Sequence, residues 1–406
     1  YRGLVRVLKK LGKPYSAYEE RMQGIRRAMN EVLWLPAKGH FAQYKDVVGL
    51  KRLHEAAALT AIYHPVEFEL TDMFQSYQQL RYVETHLECR RWGEGLAYWN
   101  SNWMPAYWDG RCYHFFSNRC LYVPENSNLA LAYYRARQPE DGYRLLQGNV
   151  FASYRGPYPL GMGYSNPQGE ARHDVDGSDT TSPYLRVVVE GLFGVRANLP
   201  DGEIVLEPNF PEDWNHASLR TPDISLGYKK EKNRIALEVQ TTKKLRKRVR
   251  FAVRAAEVLT VKVNGKAAKW RAEPGIGCSL LEVRSKSEHK TAVVIETSGK
   301  APAITGPARL APGDEFSTTI ARGVFLECHD PQGILVSPQL DKKSLRARMA
   351  ADTPGHHSFF LLVQRGDLSL WLPVNVEIKD TAPPVRSFVR PGEKTRQQPV
   401  DLSSFH

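Results

Sequence analysis

The segment from residue 172 to residue 179, RHDVDGSD, carries three carboxylates and one histidine within eight positions. Asp174 and Asp176 are candidates for a base that activates water, because a carboxylate stays ionised when groups such as Arg172 and His173 hydrogen bond it. The alternative is structural, since an aspartate before a glycine, as at position 176, favours a turn. The composition predicts an acidic loop suited to acid–base chemistry.

Two further carboxylates are candidates for the same chemistry. Asp46 closes the loop KGHFAQYKD, where Phe41 and Tyr44 would make its charged form costly and so keep the acid protonated near neutral pH. The alternative for Asp46 is an N-cap ahead of a helix over residues 47–53. Glu125, in VPENSN, is a rival for either role, although the start of a helix would stabilise its charge even without a function.

A loop over residues 92–111, WGEGLAYWNSNWMPAYWDGR, contains four of the eight tryptophans, with polar residues between them. Sugars present apolar C–H faces and many hydroxyls, so a pocket for them needs aromatic surfaces beside polar side chains. Trp99, Trp103, Trp108 and Asn102 are therefore predicted to bind a carbohydrate. Tryptophans in a hydrophobic core are the alternative.

Apolar residues recur at helical spacing in most of the chain before Phe193. Proline and glycine interrupt this pattern, for example at His64-Pro65, and predict turns between about eight antiparallel helices. The segments with the clearest helical pattern are Leu4–Leu11, Tyr18–Leu33, Leu50–Tyr63, Met73–Leu87, Asn128–Arg137, Gly142–Tyr154 and Tyr184–Phe193.

From Asp201 onward the apolar residues alternate with polar ones, which is typical of strands. The dipeptide Asn264-Gly265 is a strong hairpin signal, and the proline- and glycine-rich stretch 300–313 suggests a boundary. The predicted strands are Ile204–Leu206, Ile224–Tyr228, Ile235–Val239, Val249–Val253, Val258–Asn264, Ala292–Glu296, Phe316–Leu326, Ser358–Gln364 and Leu368–Ile378.

The stretch EGLFGVRANLPDGEIVLEPNFPEDW, residues 190–214, resembles the segment in which six-hairpin (α/α) toroid glycosidases and glycoside phosphorylases leave the toroid and enter a β-sandwich. The matching residues are Gly191, Gly194, Arg196, Asp201, Gly202, Pro208, Pro211 and Trp214. The resemblance implies a multidomain α and β protein, with a partial (α/α)6 toroid followed by β-sandwich domains. The expected domains are the toroid's C-terminal part (1–198), a β-sandwich (199–299), a small β-rich, Ig-like domain (300–382) and an extended tail (383–406).

The resemblance also implies a glycoside hydrolase that cleaves a poly- or oligosaccharide. One carboxylic acid protonates the leaving oxygen and a second carboxylate activates water, and inversion is the expected stereochemistry. The family places the acid in a central loop, here Asp46, and the base near the toroid's end, here Asp174 or Asp176, with Glu125 as the rival. The candidate substrate-binding residues lie in the three loops, which a toroid would bring to one cavity; they are His40, Tyr44, Trp99, Asn102, Trp103, Trp108, Arg172 and His173.

Three other functions stay open on the same residues. A glycoside phosphorylase would let phosphate attack the sugar. A polysaccharide lyase would use a tyrosine and a histidine, such as Tyr44 and His40, to remove a proton beside a uronate. A carbohydrate-binding remnant would lack a working carboxylate pair.

The bulk composition narrows the range of partners. The chain has 406 residues and a net charge of +12, but its basic residues alternate with apolar ones in predicted strands and no nucleic-acid reader motif accompanies them. No apolar run approaches the roughly 20 residues of a membrane span. We therefore expect a carbohydrate partner without nucleic acid, membrane, metal or cofactor. A complete toroid needs more chain, so its first hairpins are expected upstream or on another polypeptide, and the resemblance favours a periplasmic or secreted location.

Overall fold

The computed structural model describes residues 1–99, 121–155, 162–165, 171–174, 181–306, 309–350 and 354–379, with the backbone alone for 155, 162–165, 171–174 and 305. Helices dominate the first half of these residues and strands the second half. The helices are α1 (Arg2–Lys10), α2 (Ser16–Ala28), α3 (Leu59–Glu67), α4 (Met73–His86), α5 (Val123–Arg135), α6 (Pro139–Arg155) and α7 (Thr181–Arg186). Turns of π-helix follow α2 (Met29–Leu33) and α7 (Val187–Leu192), and 3-10 turns span Pro36–Lys38 and Leu199–Asp201.

Helix α5 is the centre of the helical part. Its residues 129–134 are all buried, as expected of a helix that is apolar on every side. It packs against α3, α6, α7 and the π turn that follows α7. These helices share one continuous apolar core with the large sheet that follows them in the chain.

Three sequence predictions for the helices are wrong. The segment from residue 50 to 58 is not helical, and α3 begins only at Leu59. Pro65 does not end this helix, because it lies in the last turn, where its missing N–H removes only one helical hydrogen bond. Helix α5 begins at Val123, ahead of the predicted residue 128, with Pro124 in the first turn, where a proline is well tolerated.

Short strands connect the helices in small antiparallel sheets. Three pairs are β1 (Trp34–Leu35) with β2 (His40–Phe41), β3 (Tyr44–Lys45) with β4 (Leu53–His54), and β5 (Cys89–Trp92) with β6 (Gly95–Tyr98). A three-stranded sheet joins β7 (Leu121–Tyr122), β8 (Met162–Ser165) and β9 (Ala171–Asp174) in that order.

A nine-stranded sheet follows the helices. Its strands are β10 (Val195–Asn198), β11 (Glu203–Leu206), β12 (His216–Arg220), β13 (Ile224–Glu231), β14 (Arg234–Val253), β15 (Ala255–Val263), β16 (Lys266–Ala267), β17 (Trp270–Gly275) and β18 (Cys278–Lys300). The sequence predicts two strands, Ile235–Val239 and Val249–Val253, where the structure has the single strand β14. An irregularity between Gln240 and Leu245 shifts its register, which explains the break in the apolar pattern.

The C-terminal part contains two four-stranded sheets, ordered β19-β21-β24-β23 and β20-β26-β25-β22. The strands are β19 (Ile304–Thr305), β20 (Arg309–Leu310), β21 (Glu315–Ile320), β22 (Val324–His329), β23 (Leu335–Leu340), β24 (Ser344–Met349), β25 (Gly355–Arg365) and β26 (Leu368–Ile378). One apolar core joins the two sheets, with Phe316 and Phe359 in edge-to-face contact across it. The predicted strand Phe316–Leu326 is two strands, β21 and β22.

The C-terminal sheets dock on helix α4. Phe74 of α4 packs against Phe360 of β25 and edge-on against Trp371 of β26. Tyr77 accepts a 2.8 Å hydrogen bond from Asn375. The helical part and the C-terminal sheets are therefore held in one arrangement.

Candidate functional site

The start of helix α5 is the point where the polar residues of the helical part converge. Strand β7 leads directly into the helix, and Glu125 is its third residue. Asn126 is fully buried and ties this turn to the end of β6: its amide accepts from the Tyr98 N–H at 2.8 Å and donates to the Tyr98 and Tyr122 carbonyls at 3.0 and 3.1 Å. These bonds fix the backbone on which Glu125 is carried.

Two side chains accompany Glu125. Tyr63, on α3, is buried, and burial raises the pKa of its phenol above the usual value, with a further contribution from the Glu125 charge. Asn128, one turn after Glu125, hydrogen bonds the Tyr63 side chain. The site thus has a carboxylate beside a protonated phenol, and α5 and α3 hold the two.

The sheet of β7, β8 and β9 brings the acidic segment to the same place. Tyr122 pairs with Tyr164, which pairs with Arg172, and Asp174 pairs with Met162. Both outer strands run antiparallel to β8, so β7 and β9 run parallel to each other. The chain therefore leaves β7 at the same end of the sheet at which β9 finishes with Asp174. Glu125 follows three residues after the end of β7.

Trp99 does not fit the role of a sugar-binding surface. It is only 1% exposed and packs with Ala97, Leu121 and Trp92 in a small apolar cluster beside β6. The alternative of a core tryptophan applies to Trp99, because its ring fills the space between β6 and β7. Arg90 lies above the ring, 6.0 Å from its centre.

Asp46 lies on the β3–β4 hairpin, and its carboxylate is 3.0 Å from Nε2 of His54. The expected helix over residues 47–53 is absent, so Asp46 is not a helix N-cap; the chain turns there with exposed apolar side chains. The two aromatic side chains that were predicted to surround Asp46 have other partners. Tyr44 stacks on His54, and Phe41 is buried against Trp34.

His40 is buried, 1% exposed, and its ring packs at a tilt against that of Tyr82 of α4, with the ring centres 4.1 Å apart. Burial lowers the pKa of its imidazole to about 4, so the ring is neutral near neutral pH. Its Nδ1 donates to the Phe41 carbonyl at 2.9 Å. A buried, neutral ring held in this way is suited to packing and does not reach a polymeric substrate as a lyase base would.

The stretch that carries the family resemblance builds the junction between helices and large sheet. Glu207 of this stretch is buried and paired with Arg137, Arg196 and Arg250. Burial alone would raise the pKa of Glu207, but the three guanidinium groups outweigh it and hold the pKa at about 2. The carboxylate is therefore ionised near neutral pH and pairs with three buried or half-buried arginines, of which Arg196 and Arg250 also have other carboxylate partners.

Gly194 shows why the glycines of this stretch are needed. Its φ is +66°, and a Cβ there would lie 1.9 Å from the Glu207 carbonyl oxygen. The motif residues thus serve the exit from the helix and the first strands, which is the structural alternative to a catalytic role.

The remaining predicted site residues are described in part or not at all. Asn102, Trp103, Trp108 and Asp176 lie outside the described residues. Arg172, His173 and Asp174 are described by their backbone in β9.

Sequence reasoning missed Tyr63, Asn126 and Asn128, although four polar residues at the start of an otherwise apolar helix are a usable signal. Within the part of the chain that the structure describes, no group of three or more His, Cys, Asp or Glu is placed to hold a metal ion. Nor does any helix there have the length and apolarity to cross a membrane.

Comparisons with known proteins give distant structural similarity. No family model matches the chain, and no curated protein matches it. The α-L-rhamnosidase from Dictyoglumus thermophilum is 13% identical with a TM-score of 0.41, over 72% of this chain and 30% of its own. The Streptomyces avermitilis α-L-rhamnosidase complexed with L-rhamnose is 11% identical with a TM-score of 0.42, over 72% and 25%.

A GH127 β-L-arabinofuranosidase from Geobacillus Stearothermophilus T6 is 8% identical with a TM-score of 0.27, over 78% of this chain and 56% of its own. The chain thus spans less than a third of the length of the two rhamnosidases. At these identities and TM-scores the similarities carry no argument about what this chain does.

Proposed function

We propose that this chain is part of a glycoside hydrolase whose two carboxylates are Glu125 and Asp174. The observation that supports the proposal is the parallel course of β7 and β9: Asp174 is the last residue of β9, and Glu125 follows the end of β7 by three residues. Two strand spacings of about 4.8 Å separate the ends of these strands by on the order of 10 Å. The proposal requires the two carboxyl groups to lie about 6.5–9.5 Å apart, as in an inverting enzyme.

The assignment of roles rests on the position of Glu125 in its helix. We assign the base to Glu125, because the first turn of a helix stabilises a negative charge, and the acid to Asp174. The base removes a proton from water as it attacks the anomeric carbon, and the acid protonates the leaving oxygen. Asp46 and Asp176 are the second candidates for the proton donor.

The experiment uses the full protein that contains this chain and a panel of aryl glycosides that includes the α-L-rhamnoside and the β-L-arabinofuranoside. Glu125→Gln should lower kcat by about two to four orders of magnitude on every cleaved substrate. Asp174→Asn should do so mainly on substrates with poor leaving groups, since good leaving groups need no proton. The matched control is Glu238→Gln, an exposed residue of β14.

Other products would identify the alternative functions. Turnover that requires phosphate would indicate a phosphorylase, and an unsaturated product that absorbs in the ultraviolet would indicate a lyase. Carbohydrate binding without any turnover would indicate a non-catalytic remnant.

We further propose the architecture that the resemblance implies. The helices up to residue 198 would be the C-terminal part of an (α/α)6 toroid, completed by chain outside this sequence. Residues 199–299 and 300–382 would be a β-sandwich and an Ig-like domain. The close antiparallel packing of α5 and α6 supports the toroid proposal, since such a fold is made of helical hairpins. A structure of the longer protein would test it, and six hairpins around one axis are expected.

A further inference from the structure

A groove runs along the large sheet on its side towards helix α6, away from the residues proposed for catalysis. It consists of an inner cavity of about 260 Å³ and a wider outer one of about 880 Å³. The two share Tyr228, Lys230 and Lys232, so they form one continuous depression. We call it the basic groove, from Arg254 and Lys300 at the inner end to Arg234 at the outer end.

The groove has a surplus of positive charge. Lys230, Lys232, Arg254 and Lys300 line the inner cavity, and Glu212 is the one carboxylate among the described residues lining it. In the described part of the chain none of these four cations pairs with a carboxylate. Lys230 donates instead to the Glu212 carbonyl and Arg254 to the Arg137 carbonyl, which leaves their charges uncompensated.

The outer cavity is closer to neutral. Lys229 pairs there with Glu231, and Arg234 lies 3.9 Å from Glu296. The uncompensated charge is therefore concentrated around the inner cavity, where Lys232 and Lys300 are both exposed to solvent. An anionic ligand therefore gains the most electrostatic attraction at the inner cavity.

The floor of the inner cavity combines apolar and neutral polar groups. Phe210 and Tyr228 lie there with their ring centres 4.6 Å apart, each less than a tenth exposed. Burial raises the pKa of the Tyr228 phenol to about 12, so this group keeps its proton and can donate a hydrogen bond. Asn233 and Thr297 add amide and hydroxyl groups.

We infer that the basic groove binds a saccharide that carries carboxylates, such as a chain of uronate residues. The cations complement the carboxylates, and the neutral polar groups of the floor suit sugar hydroxyls. A single-stranded nucleic acid fits less well, because its bases need exposed aromatic faces for stacking and those of the groove are buried. The inference rests on the proposed carbohydrate function, but the groove lies outside the catalytic pair and so can be tested separately.

The test measures binding of a hexameric oligogalacturonate at low salt by calorimetry, with a neutral hexasaccharide and a single-stranded oligonucleotide as comparisons. All measurements use the Glu125→Gln background, so that hydrolysis does not consume the probe. The double variant Lys232→Gln/Lys300→Gln should bind the oligogalacturonate about five- to tenfold more weakly, the loss expected for two exposed ion pairs. The control Lys262→Gln/Lys266→Gln removes the same charge from exposed lysines that line neither cavity, and should bind within about twofold of the parent.

The outcomes separate this inference from the proposed function. Equal losses in both double variants, no binding by the parent, or equally tight binding of the neutral sugar would overturn the groove. Tighter binding of the oligonucleotide, lost on Lys232→Gln/Lys300→Gln, would reassign it to nucleic acid. Groove-dependent binding in a protein that hydrolyses no glycoside would sink the proposed function while leaving the inference intact.

Discussion

Glu207 and Glu125 are two carboxylates in two regions of the same chain, and their surroundings differ. Glu207 lies at the junction of helices and large sheet, buried among three arginines that compensate its charge and hold its pKa at about 2. Glu125 lies in the first turn of α5, beside the buried phenol of Tyr63. Glu207 is suited to holding the helices and the large sheet together, whereas Glu125 is the residue that we propose for catalysis.

The difference shows that the residues of a recognisable sequence motif can serve the fold, while the residues proposed for catalysis lie elsewhere. The stretch around Glu207 carries the resemblance to the toroid glycosidases. The Glu207 carboxylate, however, pairs with arginines inside the protein. The residues around Glu125 match no motif, yet they converge from α3, α5 and the β7–β9 sheet.

The largest expected effect comes from removing the compensated charge. Glu207→Gln removes the carboxylate that pairs with Arg137, whose side chain is only 10% exposed, and breaking such a buried pair typically costs about 3–5 kcal/mol. Arg196 and Arg250 keep other carboxylate partners. Chemical denaturation should show this loss as a lower midpoint. The control Glu238→Gln, an exposed residue of β14, should change the free energy of unfolding by less than about 1 kcal/mol. Equal losses in both variants would contradict the comparison.

Lowering the pH should reveal how much the Glu207 charge contributes to the stability of the unmodified protein. The pKa of Glu207 falls from 4.5 to about 2 on folding, so its contribution is complete above pH 4.5 and is lost as the pH falls towards 2. A shift of this size corresponds to on the order of 3 kcal/mol. Denaturation midpoints measured across this window should fall steeply in the natural chain and less steeply in Glu207→Gln. Parallel slopes would show that the three arginines do not depress this pKa.

The smallest effect is expected at Asp46. Asp46→Asn keeps an oxygen that can accept from His54 on a half-exposed hairpin, so stability should change by less than about 1 kcal/mol. Under the assignment to Glu125 and Asp174, hydrolysis should stay within a few-fold. A hundredfold loss of kcat with unchanged stability would instead make Asp46 the proton donor, as the loop sequence suggested.

Much of the secondary structure could be predicted from the sequence. The helical periods of α1, α4 and α6 and the alternation in β13 and β26 are local patterns, and the structure has these elements close to the expected bounds. The failures are also local in origin. The break in the alternation of β14 is a register shift within one strand, which the sequence cannot distinguish from a turn.

The candidate site was harder to predict because it depends on pairing between distant segments. Glu125 and Asp174 were both candidates, but the parallel course of β7 and β9, on which the proposed pairing rests, appears only in the β7–β8–β9 register. The hydrogen bonds from Asn126 to Tyr98 cannot be read from spacing at all. The sugar-binding role predicted for Trp99 failed for a related reason. A tryptophan suits both a sugar-binding surface and a small apolar core, and only the packing of distant segments shows which one it forms.

The docking of α4 on the C-terminal sheets has a consequence for synthesis on the ribosome. Phe74 emerges about 300 residues before Trp371, its partner in β26. At elongation rates of about 5–20 residues per second, this apolar face of α4 is synthesised on the order of 15–60 s before the strand that packs on it. During that interval α4 exposes an apolar surface of the kind that chaperones bind. The yield of folded protein should therefore depend on the supply of chaperones, even if the completed fold is stable.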